Sequence, residues 1–585
     1  MAHDLIIAGG LVVDGTGAPP RLADLAISGG KIVELGSVAG PAAKTIDAKG
    51  AIVTPGFVDI HGHYDGQISW DDEIAPSSHH GVTTVVMGSC GVGFAPVRVK
   101  DRERLIQLME GVEDIPGSAL SEGIDWKWET FGEYLDALSA RPRLIDVGAM
   151  VPHDALRVFA MGERAAANVE ATDAEMSAMK AELASALRAG AFGFSTGRSD
   201  NHRAVDGSAT PASEVTAREL TALAGAFDGL GHRVLQAVSD FDMARSKEAF
   251  DGELELLLSM ARAAKRPLSI SVMQRTGDSE QWRKIFDGIE RANREGLTVR
   301  AQVAPRGIGV LLGLEATFHP FMGFPTYKRL SALPLEQRVK ELAKPEVKAA
   351  ILSEKSEPVA GDGSPIPPLA DQLLANLDFV TMSLFKLGDD PNYEPRREDS
   401  LFGEAMRRGV RPLEVVYDAM LESGGKALLY FPIYNYASGS LDEVGQMLRH
   451  PLAMMGLSDG GAHVGTICDA SFPTFLLSHW VKGRASGNIA LEQAVKMLTS
   501  TTASWMGLDD RGVLALGKRA DVNVIDLDHL KLKPPSLVRD LPAGGRRFLQ
   551  EASGYRATIV RGEIVRQDGA TTAARPGTIL RAKAG

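Results

Sequence analysis

Between residues 173 and 304, helical patterns alternate with short apolar strands four times in succession, and few folds accommodate that rhythm. DAEMSAMKAELASALRAG precedes AFGFST, and SEVTARELTALAGAFDGLGH precedes RVLQAVS. KEAFDGELELLLSMARAAKRP precedes LSISVM, and EQWRKIFDGIERANREG precedes LTVRAQVAP. The strands begin near 191, 233, 268 and 297. A repeat of about 29 to 42 residues suits strands made parallel by right-handed helical crossovers. GFVDIHGH, TTVVMGSC and LIDVGAMV upstream, with LAMMGLSD downstream, bring the candidates to eight. Eight parallel strands predict an α/β chain with a (β/α)8 barrel, whose reactive face lies at the strands' C-terminal ends.

At 585 residues the chain is longer than one barrel needs. Gly-punctuated strand patterns fill both ends: LIIAGGLVVDG, DLAISGGKIVELG and GAIVTPG at the start, RGVLALGKRADVNVIDLD and YRATIVRGEIVRQDG at the finish. They predict a small β-sandwich domain from residues 1–55 plus 508–585, beside a barrel over 56–507. The stretch from about 306 to 450 is too long for one crossover. It reads as an insertion between the seventh and eighth strands, either a lid or an oligomer contact.

Composition narrows the classes of function. With 44% apolar and 24% charged residues the chain is globular. A net charge of −12 argues against nucleic acid or a polybasic membrane surface as partner. No apolar run approaches about 18 residues, and the start lacks a basic segment before an apolar one, so neither a membrane span nor a secretory leader is expected. Cys90 and Cys468 are the only cysteines; two thiols make no disulfide scaffold and fit a reducing cytoplasm.

Three motifs carry chemistry. In GFVDIHGHYDG (56–66), His61 and His63 stand two apart, so on a strand both point to one face and can share a cation. Ordinary loop histidines are the plain alternative. In TTVVMGSCGVGFAP (83–96), Cys90 leaves an apolar strand for a Gly-rich turn. It suits a metal thiolate, or a small buried apolar group. In MMGLSDGGAHVGT (454–466), Asp459 closes the last strand ahead of two glycines and His463. A carboxylate there can bind a metal and take a proton from water, or simply start an Asx-turn.

Together with GAFGFSTGR and GVLALGKRADVNVID, these motifs resemble the amidohydrolase superfamily, and within it the N-acyl-D-amino-acid deacylase (D-aminoacylase) branch, over nearly the whole chain. The resemblance implies one or two divalent ions, zinc foremost, held by His61, His63, Cys90 and Asp459. Asp459 is then also the general acid/base for hydrolysis of an amide C–N bond in a small N-acyl amino acid bearing a carboxylate. A cyclic amide substrate, or a non-catalytic scaffold that has lost ligands, is the alternative.

The chain departs from that branch in three places. The histidines ending its fifth and sixth strands are absent; Gln236 and Gln274 are the nearest polar residues in RVLQAVSD and LSISVMQRTG. The branch's tyrosine beyond strand seven is also absent, and QVAPRGIGV offers Arg306 instead. Arg198, Arg203 and Arg306 are candidates to clamp a substrate carboxylate. His202, in GRSDNHRAVDG, and His463 are further candidates for the site. His79, His80 and His232 precede their strands and are expected to pack, as are Met87, Met454 and Met455.

Overall fold

The computed structural model describes residues 2–167, 169–241, 249–361, 366 and 368–583. Its centre is a closed parallel barrel. The strands are β1 (Phe57–Gly62), β2 (Val82–Met87), β3 (Asp146–Ala149, continued by Val151–Pro152), β4 (Gly193–Arg198), β5 (Val234–Ser239), β6 (Leu268–Ser271), β7 (Val299–Val303) and β8 (Ala453–Met455). Parallel pairing runs from β1 to β3 and from β4 to β8, with the second half of β3 paired to β4. The ring closes where the His63 amide donates to the Gly460 carbonyl at 2.8 Å. Nearly every strand residue is buried, as helices covering one face and a filled interior on the other require.

Local chemistry starts and stops the helices where the periodicity predicts them. Helix α1 (Asp173–Ala189) opens on a reciprocal capping box, Thr172 with Glu175, and ends at Gly190 with φ +115°. Helices α2 (Ala217–Ala224), α3 (Ala249–Ala264) and α4 (Gln281–Arg294) follow in the crossovers from β4 to β7. Lys247 and Glu248, which open the third helical pattern in the sequence, lie outside the described residues, as do 362–365 and 367 of the Pro-rich piece.

Nine strands from the two ends of the chain form one hydrogen-bonded sheet. Its halves join where Ile52–Pro55 pairs antiparallel with Val522–Ile525. Its own core contains Leu5, Ile27, Val53, Val522 and Ile559. The C-terminal tail leaves this sheet. The Val147 and Leu580 amides donate to the Thr578 and Val147 carbonyls, so the tail runs against the N-terminal end of β3. There Asp146, fully buried, receives Arg511 at 2.6 Å, Arg519 at 2.7 Å and the Thr578 amide.

The stretch between β7 and β8 builds a separate apolar core around Leu312, Phe321, Tyr417 and Leu429, over a three-stranded sheet of Ile308–Leu312, Leu429–Tyr434 and Phe385–Lys386. Among the described residues no helix is long and apolar enough to cross a membrane.

Candidate active site

The C-terminal ends of β1, β2 and β8 bring four donors together. His61 Nε2 lies 3.2 Å from Cys90 Sγ and 3.2 Å from Asp459 Oδ1. His63 Nε2 lies 3.6 Å from the same Asp459 oxygen. The ligand atoms of His61, His63 and Cys90 all fall within 4.8 Å of one another. Tetrahedral zinc with bonds of 2.0–2.3 Å separates its donors by roughly 3.3–3.8 Å, so these residues fit one ion with little movement.

The backbone aims the donors by unusual means. Cys90 and Asp459 are non-glycine residues in the left-handed region, with φ of +55° and +48°. Such residues persist only where their surroundings over-determine them. At the Cys90 turn the restraint is contact. A Cβ on Gly91 would lie 2.6 Å from the Gly197 amide nitrogen of β4. The Cys90 amide donates to Gln236 Oε1 at 2.8 Å. Near Asp459, Ser458 donates its hydroxyl to Asp59 Oδ2 at 2.5 Å, tying β8 to β1.

Each imidazole is fixed from behind. His61 Nδ1 lies 2.6 Å from Gln302 Oε1, and Gln302 Nε2 donates to Ser269 Oγ at 2.9 Å. Because the amide nitrogen is spent on Ser269, its oxygen takes the Nδ1 proton and leaves Nε2 of His61 as the donor facing the cluster. His63 Nδ1 lies 3.1 Å from Glu113 Oε1.

The field of the site favours positive charge. Burial opposes protonation of His61, but the Cys90 and Asp459 charges outweigh it and raise its pKa to about 10. Burial raises the Cys90 thiol and the Asp459 carboxyl, yet the two imidazoles overcome it and lower both. Burial likewise raises Glu113, and His63 more than offsets it, down to about 2. A divalent cation meets the same attraction that holds these protons.

The remaining sequence candidates separate into two groups. Near the cluster are Gln236, whose Nε2 is buried without a hydrogen-bond partner among the described residues, and His463, with Nε2 4.0 Å from Glu113 Oε2. His202 stands beyond it, ring centroids 6.4 Å apart, and burial lowers its pKa to about 4. Arg203 sits on the same loop, donating to the Asp200 carbonyl.

Three expectations are corrected. Arg198 makes a bidentate pair with Glu253 at 2.6 and 3.0 Å and donates to the Val215 carbonyl, so its charge and its carboxylate-binding edge are already taken. Arg306 is 1% exposed, 3.1 Å from Asp469 and flanked by the Tyr393 and Phe472 rings, so it supports the core rather than a substrate. Gln274 bonds Ala437 and Ser438, tethering the insertion to β6.

Two residues at the site escaped the sequence reading. Gln302 lies within a strand that was recognised, and its signal was an amide amid apolar neighbours. Glu113 shares the buried stripe Leu105, Met109 and Val112 of its helix, Arg102–Glu113. A charge on an apolar stripe is the mark that would have found it.

The model of the amidohydrolase family matches residues 44–361 and 416–566, and the chain belongs to that family. It is 28% identical to the N-acyl-D-aspartate deacylase of Alcaligenes xylosoxydans xylosoxydans over 99% of this chain and 95% of that one. It is also 28% identical to the D-aminoacylase of the same organism, over 99% and 97%. Among solved structures it is similar to the N-acyl-D-glutamate deacylase of Bordetella bronchiseptica, complexed with zinc and a phosphonate mimic of the tetrahedral intermediate. That match has 26% identity, a TM-score of 0.63 and full coverage of both chains.

Proposed function

We propose that this chain hydrolyses the amide bond of N-acyl-D-amino acids, using a zinc ion held by His61, His63 and Cys90, with Asp459 beside it as the general acid/base. The observation that carries the reading is the position of Asp459, whose Oδ1 lies 3.2 Å from His61 Nε2 and 3.6 Å from His63 Nε2 at the mouth of the barrel. When bound, a divalent ion supplies Lewis acidity and lowers the pKa of a water from 15.7 to about 7.

The chain's own residues do the rest. Asp459 is ionised at neutral pH, since the imidazoles hold its carboxyl far below the ordinary carboxylate range. It accepts the proton as water attacks the amide carbon, then delivers it to the leaving nitrogen as the C–N bond breaks. The products are a carboxylic acid and a free amine. Gln302 and Glu113 keep the two imidazoles in place throughout. The relatives' names support the D-configuration, and two buried free cysteines support a cytoplasmic setting.

The test is metal content per purified chain, followed by turnover of N-acyl-D- and N-acyl-L-amino acids and cyclic amides by wild type and Asp459→Asn. The expected result is zinc-dependent release of the D-amino acid that collapses in the variant. Full activity without metal, or undiminished activity in Asp459→Asn, overturns the reading.

A further inference from the structure

A cavity of about 780 Å³ lies at the N-terminal end of the barrel, the end away from the metal donors. Thr298 and Ala453, at the starts of β7 and β8, form part of its wall, and the helices Leu491–Leu498 and Ser500–Trp505 form another part. Three cations line it, Arg300, Arg449 and Lys496, and among the described residues no acidic side chain does. In a chain whose net charge is −12 such a concavity stands out. Its charges are unmatched. Arg300 reaches only the Pro451 and Ala453 carbonyls, at 3.4 and 3.5 Å. Burial lowers its pKa, and no neighbouring carboxylate opposes the shift. Arg449 donates to the carbonyls of Gly445, Gly487 and Asn488. A carbonyl satisfies a donor without cancelling the charge behind it. Lys496 is exposed. Among the described residues Glu290 is the one acid paired with a lining side chain, and its partner is His450, at 3.1 Å.

We propose that this cavity is a second ligand site, separate from the metal centre, and that it binds a small organic phosphate. A phosphate monoester carries nearly two negative charges and three acceptor oxygens, which suits a set of three cations. Guanidinium groups meet phosphate oxygens in pairs, and lysine adds a point charge. The volume lies within the range of small-molecule pockets and exceeds what a bare phosphate fills. Ile489, Met497 and Trp505 on the same wall offer apolar surface to the organic part, and Asn488 and Ser504 offer hydrogen bonds. The site is independent of the hydrolase reading, since none of the metal donors lines it.

The experiment is calorimetric titration of the zinc-loaded full chain, at constant ionic strength, with AMP, glucose 6-phosphate, inorganic phosphate and adenosine. At least one ester is expected to bind once per chain and about tenfold more tightly than inorganic phosphate, while adenosine does not bind. Arg300→Gln, and independently Lys496→Ala, are each expected to weaken the ester about tenfold, the worth of one charge-assisted hydrogen bond. Lys496→Ala removes an exposed side chain, so its Tm without ligand and its amide turnover should match wild type. A phosphate group that instead sits on the zinc would bind both variants as tightly as wild type. That result overturns the proposal, as does the absence of binding by every phosphate. Equal affinities for the esters and inorganic phosphate, or for AMP and adenosine, overturn it too.

Discussion

Glu113 Oε1 and His63 Nδ1 lie 3.1 Å apart, and both residues are buried. The contact fixes the ring so that Nε2 faces Asp459, and the carboxylate raises the basicity of that nitrogen. Removing such a partner costs about 10–100-fold in metal affinity. Glu113→Gln keeps an acceptor but loses the charge. Zinc affinity, measured by competition with a chelator, is expected to fall within that range, and saturating zinc should restore turnover. Unchanged affinity would assign Glu113 a purely structural role.

Asp459→Asn retains the shape of the carboxylate but not its basicity. We expect kcat to drop about 10²–10⁴-fold, the usual contribution of a general acid/base. Chelation should abolish wild-type activity and lower Tm, because an ion that binds only the folded chain stabilises it. Added zinc should reverse both effects in the wild type, and restore Tm but not kcat in Asp459→Asn.

Asp146 joins three parts of the molecule: β3, the C-terminal tail through Thr578, and Arg511 and Arg519 from the segment leading into the terminal sheet. Breaking a buried pair costs up to about 3–5 kcal/mol, and here Asp521 still faces both arginines. Asp146→Ala is therefore expected to lower the unfolding free energy, read from denaturant titration, by up to that amount, with zinc affinity retained. A stability change below about 1 kcal/mol would show that the network is dispensable.

Two histidines far from the metal donors set an acid limit. Burial lowers His80 to about 3, where it bonds Thr474 and the Gln550 carbonyl. Burial also lowers His319 to about 3, inside the insertion. Both stay neutral in the fold, whereas the unfolded chain protonates them below about pH 6.5. Their stabilising contribution is complete above that pH and is lost as pH falls from 6.5 toward 3, by up to about 1.4 kcal/mol per unit for each. Urea unfolding at pH 7 and pH 5 should show the loss, and His80→Gln should make it shallower.

The barrel was legible because its signal is local. Amphipathic helix, apolar strand and turn recur at a fixed pitch, and crossover handedness leaves few alternatives. The donor pair His61 and His63 was legible for the same reason, since a two-residue spacing on a strand decides that both face one way. The fates of the arginines were not. Arg198 and Arg306 occupy strand-end positions like those of true substrate contacts. Only folding shows that Glu253 and Asp469 reach them first.

What the sequence determined by itself is which side chains leave each barrel strand at the reactive face, since chain order and periodicity fix that. The tertiary structure alone decided what stands behind them. Gln302 meets His61 across 241 residues of chain, and Ser269 of the neighbouring strand orients that amide. Contacts of that range are set by barrel closure and packing, and no pattern along the chain encodes their distance.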